Sequence, residues 1–155
     1  MTLPDTRLDV LGVLDAAPIR DAVEAFLSNR LGRALTFSDT HACGVSDGSR
    51  EWRVSASGTA LPFVDGSFDR VLCLDSLRSQ EDPERFLVEA RRVLVPGGGV
   101  LSVAVEPPAR AVRGYLVKAG FDWSESYEVM TVEHVLDTGV EETHVFAATG
   151  WISGP

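Results

Sequence analysis

Few side chains in this sequence are of the types that move protons or bind metals, and their spacing keeps them apart. Three histidines, His41, His134 and His144, are scattered along the chain. His41 lies in a polar stretch and is the side chain best suited by type to act as a base, although no partner for it is evident. Asp75 directly follows a short apolar run, Val71 to Leu74, and is a second candidate base or orienting group; an aspartate leaving a strand also caps the next turn. His134 and His144 fall in or beside strand-like segments, where structural roles fit better. The two cysteines, Cys43 and Cys73, form no ligand set: His41-Ala42-Cys43 is too tight and lacks two further ligands, so no metal site is read. Cys73 sits inside an apolar run and reads as packing, Cys43 as part of a polar loop. Neither suggests a disulfide framework.

Those residues must be held by a folded domain, and the composition allows one. The chain has 155 residues, 45% apolar and 24% charged, enough for a core. A net charge of -9 argues against a nucleic-acid backbone or an anionic membrane as partner, because both call for a basic patch. No stretch approaches the ~20 apolar residues of a membrane span. The start, MTLPDTRLDV, has no basic segment followed by an apolar run. A cytoplasmic setting is therefore expected.

The elements follow from apolar spacing and punctuation. Leu8 to Leu14 reads as a first strand. A helix starts near Asp15-Ala16-Ala17-Pro18, with Ile19, Val23, Phe26, Leu27 and Leu31 on one face and Gly32 at its end. Ala34 to Phe37 reads as a second strand, Ser38 to Glu51 as loop and Trp52 to Ala56 as a third strand. Residues 40–51 are too few and too glycine-rich for the usual crossover helix, so a bare loop or an antiparallel hairpin joins the second and third strands. The stretch from Leu61 to Pro107 is the most ordered. Asp65-Gly66-Ser67 marks a turn and Val71 to Leu74 a buried strand. Asp82-Pro83 opens a helix with Phe86, Leu87, Ala90, Val93 and Leu94 on one face. Pro96 to Gly99 stops that helix, and Val100 to Val105 is a second buried strand, giving a parallel βαβ unit. A further helix begins at Pro107-Pro108, carries Val112, Tyr115, Leu116 and Ala119, and is capped by Gly120. Phe121 to Val132 alternates like an antiparallel edge strand, Asp137-Thr138-Gly139 is a turn, and Thr143 to Thr149 is a last strand. Trp151 to Pro155 reads as a tail, where an exposed tryptophan would hint at a partner surface.

The run LPF-x-DGSFD, a strand, EDPERFLVEARRVLVPGG, and a strand ending in Glu106-Pro107 resembles the second half of class I S-adenosylmethionine-dependent methyltransferases of the type that acts on small molecules. The resemblance covers roughly residues 60–150, with a weaker echo over 8–59. It implies a Rossmann-like α/β three-layer sandwich, with a mostly parallel sheet and an antiparallel C-terminal strand, as a single domain. It also implies S-adenosylmethionine as cofactor. By that resemblance Gly12, Asp15 and Ala16 would shape the turn after the first strand, Asp39 would hold the ribose, and Ser57, Thr59 and Leu61 would flank the adenine. The family's glycine-rich turn is reduced here to Gly12 alone, and Ser57 stands where an aspartate is usual. The reading is methyl transfer to a small molecule. The alternative is a catalytically inactive module that binds, regulates or dimerises. A protein partner or a homodimer is compatible with either.

Overall fold

The computed structural model describes residues 16–27, 32–37, 42–47, 50–74, 77, 80–105 and 109–154. In chain order these form α1 (Ala17–Leu27), β1 (Ala34–Phe37), β2 (Ala42–Ser46), β3 (Glu51–Ser55), β4 (Phe68–Leu74), α2 (Pro83–Val93), β5 (Leu94–Ala104), α3 (Ala109–Ala119), β6 (Trp123–Leu136) and β7 (Gly139–Trp151). The first strand expected over 8–14 lies outside the described residues. The seven strands make one sheet in the order β3-β2-β1-β4-β5-β7-β6.

The two faces of this sheet are covered separately, as an α/β three-layer fold requires. On one face α2 contributes Phe86, Leu87, Ala90 and Val93, and α3 contributes Val112 and Leu116. They bury Leu35, Phe37, Cys43, Val45, Val71 and Val100. On the other face α1 lays Ile19 and Phe26 over Leu72, Leu101, Val103, Val145 and Ala147. Both sides of β4 and β5 are therefore dry, which is why their sequences read as unbroken apolar runs.

Local chemistry explains the best-formed elements. Asp82 caps α2 by accepting from the Arg85 N–H at 3.1 Å, and Pro83 takes the first helical position. Gly120, at φ +96°, ends α3: its N–H reaches the Val117 carbonyl and the Phe121 N–H the Leu116 carbonyl, the paired bonds of a Schellman cap. Buried Arg70 donates to the Phe26 carbonyl at 3.0 Å, closing the last turn of α1, and lies 4.9 Å from the Trp151 ring centre.

Several expectations are corrected. The sheet is mixed: only β1–β4 and β4–β5 are parallel, and the ladders on either side are antiparallel. Residues 42–46, read as loop, are β2; Cys43 and Val45 point into the core while Gly44 faces out, and two inward residues are too short a pattern to announce a strand. Cys43 is accordingly buried. Ala34–Phe37 is a strand as expected, and it lies beside β4 at the centre of the sheet. The Pro96–Gly99 segment does not stop α2. The helix ends at Val93, and β5 runs from Leu94 through Gly97 (φ +84°) with a register shift against β4. Trp151 is no exposed tail residue: it ends β7 and seats on Gly99, where a Cβ would lie 2.5 Å from its ring.

Candidate functional site

The chain leaves β1 toward β2 and β3 on one side, then returns to β4 on the other. The strand order therefore reverses between β1 and β4, and in doubly wound sheets ligands bind outside the carboxyl ends of the strands at such a point. Phe37, Ser55, Leu74 and Ala104 end their strands at this carboxyl edge.

The β3 exit is well defined. Ser57 and Ala60 pair as a bridge, with the Ala60 N–H on the Ser57 carbonyl at 3.2 Å. The Ser57 and Thr59 hydroxyls are 3.0 Å apart, and Ser57 is exposed. Gln80, arriving from β4, seals the underside of this turn: a Cβ on Gly58 would lie 2.0 Å from its Oε1. Gln80 is only 8% exposed, and its Nε2 has no hydrogen-bond partner. The two hydroxyls are of the type that hydrogen-bonds the ring nitrogens and hydroxyls of a nucleoside such as the adenosine end of S-adenosylmethionine, while the Gln80 amide is buried beneath the turn.

The next segment, 61–66, is tied down from α2. Glu89 accepts from the Leu61 N–H at 2.9 Å, and Arg92 donates to the Leu61 carbonyl (3.0 Å), the Phe63 carbonyl (2.8 Å), Asp65 (2.7 Å) and Glu89 (2.7 Å). The Arg92 guanidinium holds Glu89 below the ordinary carboxyl value, against the opposing effect of burial. Leu61 therefore has its backbone engaged and its side chain in the core. The Glu-x-x-Arg spacing within a helix signals the Glu89–Arg92 pair alone; the partners at 61–65 are about thirty residues away in the chain.

β1 and β2 are antiparallel, with Thr36 opposite Gly44, so only residues 38–41, which include no glycine, join them. Residues 38–41 lie outside the described residues, as do Gly12 and Asp15 of the expected glycine turn. With no crossover helices, the face of β1–β3 opposite α2 carries an open cleft of about 430 Å³ lined by Thr36, Gly44, Ser46, Glu51 and Arg53.

Ala16 is half-buried, and its carbonyl accepts from Ile19 and Arg20 at the start of α1. Gly12, Asp15, Asp39, His41 and Asp75 lie outside the described residues. Among the described residues no group of His, Cys, Asp or Glu could hold a metal. Burial pushes both thiols up, Cys73 most strongly, so neither is a ready nucleophile. His134 and His144 engage their own hairpin, His134 with Thr143 at 3.1 Å and His144 with Glu128 and Thr131. No described helix is long and apolar enough to cross a membrane.

A mixed, doubly wound sheet with helices on both faces and a reversal between β1 and β4 defines a Rossmann-like α/β protein. Residues 33–102, just under half of the chain, match the methyltransferase domain family. The demethylmenaquinone methyltransferase of Thermus thermophilus is 37% identical over 68 residues, 44% of this chain and 31% of its own length. The ubiquinone/menaquinone biosynthesis C-methyltransferase of Hahella chejuensis is 41% identical over 59 residues, 38% of this chain and 24% of its own. A Haloferax volcanii structure of a methyltransferase with its methyltransferase activator superposes with a TM-score of 0.52 at 17% identity, covering 64% of this chain and 61% of that one. Over residues 33–102 the chain is similar in sequence to the methyltransferase domain family, and its fold is similar to that of the superposed methyltransferase. The match spans less than a third of the length of the quinone methyltransferases.

Proposed function

We propose that the protein binds S-adenosylmethionine at the carboxyl edge of its sheet and transfers a methyl group to a small molecule. The observation that carries this is the reversal point itself: the family match, residues 33–102, contains β1, the Ser57–Ala60 turn and β4, the elements that meet there. Ser57 and Thr59 would receive the adenosine end, and Gln80 would support their turn from beneath. Leu61 would act only through its backbone, fixing the turn against α2. The cofactor supplies an electrophilic methyl on a sulfonium, and such transfer depends chiefly on proximity and alignment. The names of the relatives make a quinone precursor the first substrate to try, and they lend no support to the alternative of an inactive module.

Thermal unfolding with and without S-adenosylmethionine and S-adenosylhomocysteine tests the reading. Ligand at one hundred times its dissociation constant adds about 2.7 kcal/mol, a rise of roughly 5–10 °C for a domain of this size. Ser57→Ala with Thr59→Val should shrink that rise. A folded protein with no shift at millimolar ligand would overturn the proposal.

A further inference from the structure

The C-terminal hairpin outgrows the sheet. β5 pairs with β7 only as far as Ala104 opposite Phe146, yet β6 and β7 continue pairing from Met130–Val145 to Leu136–Gly139. β6 runs parallel to β5 in direction, so the excess rises past the carboxyl edge as a two-stranded arm roughly 25 Å long at ~3.3 Å per residue. β6 is the last strand of the sheet. No described strand pairs with its outer edge, so that row of N–H and C=O groups is free among the described residues.

One face of the arm is built against α1: Met130, Val132 and Val145 join its cluster. The opposite face carries Glu133 directly across from Glu142 and Val135 across from Val140, with Val135 86% and Val140 64% exposed. Facing carboxylates repel, and two exposed valines gain nothing in water. The charge is also segregated. Residues 119–155 contain seven carboxylates and no lysine or arginine, so seven of the nine net negative charges lie in this last quarter of the chain. The same charge makes a second copy of the strand a poor neighbour.

We infer that the outer edge of β6 is a docking site for a basic, extended polypeptide segment of another protein, which adds to the sheet as an eighth strand. Main-chain bonds to the free edge hold it, its cations lie beside Glu128 and Glu133 on the face away from α1, and its apolar side chains cover Tyr127 on the α1 face. Charges on an edge strand also serve to repel stray strands, and the test separates the two roles.

The probe is a ten-residue peptide of alternating lysine and valine, with alternating glutamate–valine and lysine–glycine peptides as controls. Hydrogen exchange of the full chain, with and without each peptide, reads the site. The lysine–valine peptide should bind saturably and slow exchange at least tenfold for amides within 123–136. The variant Glu133→Lys, at an exposed position facing Glu142, should weaken it at least fivefold with no fall in Tm. Equal binding of the lysine–glycine peptide would reduce the surface to unspecific charge attraction and overturn strand addition. Protection elsewhere, unchanged binding by the variant, or a homodimer by sedimentation that buries β6 would also overturn it.

Discussion

Replacing Gln80 by methionine should make this protein more stable. The Gln80 side chain is nine-tenths buried under the Ser57–Ala60 turn, against Gly58 and Phe86, and its Nε2 has no acceptor. A buried donor without a partner costs about 1–3 kcal/mol. Methionine keeps an unbranched chain of the same length, so it can follow the same path over Gly58 and turn the polar end into a contact. The gain should approach the penalty removed, about 1–3 kcal/mol, or roughly 2–12 °C in Tm at the 2–4 °C per kcal/mol expected for this length. Gln80→Glu should move Tm the other way, because it places a carboxyl where no cation waits. Differential scanning fluorimetry and urea titration of the three proteins suffice. A Tm for Gln80→Met that is unchanged or lower would refute the reasoning: the amide would then have a partner. If the amide also serves the adenosine end of the cofactor, the same variant should bind S-adenosylmethionine more weakly while melting higher.

Other substitutions probe the scaffold. Arg92→Lys keeps the charge but cannot reproduce a fork that reaches four separate groups, and should cost roughly 2–3 kcal/mol by urea unfolding. Glu89 has its folded-state pKa depressed below 4.5, so its contribution is complete above that pH and is lost as the pH falls through the lowered value. Urea midpoints measured between pH 3 and 6 should therefore fall less steeply for Glu89→Gln than for the wild type. Gly99→Ala would press a methyl into the Trp151 ring and should lower Tm by several degrees, while Gly114→Ala, in open space on α3, should not. Cys43 and Cys73 should both resist thiol reagents in the native protein and both react in urea.

What could be read from the sequence was what is decided locally. Asp82-Pro83 starts α2, Gly120 ends α3 and Asp137-Thr138-Gly139 turns β6 into β7, because each cap or turn is settled by residues a few positions apart. The dry strands β4 and β5 were legible for the same reason: burial on both faces leaves unbroken apolar runs. β2 was hidden because Ala42–Ser46 shows only two inward side chains around a glycine. The place of β1 was hidden because a strand's neighbours are a tertiary fact that four residues cannot carry. The site suffered most. Ser57 and Thr59 were found through resemblance to a family. Gln80 and Arg92 were not singled out, since an unmet amide and a guanidinium reaching four groups exist only once the chain is folded.

The replacement of crossovers by hairpins at one end of the sheet bears on how the chain assembles. β1, β2 and β3 zip between near neighbours such as Leu35 and Val45, and β6 with β7 between residues flanking a single turn. The central ladders join partners as far apart as Leu35 and Val71, or Val100 and Gly150. Contacts between near neighbours form early because they close small loops. The two wings should therefore appear first, within microseconds to milliseconds, and the middle of the sheet should close last. The proposed ligand edge would come into existence only at that final step, so its formation reports completion of the fold.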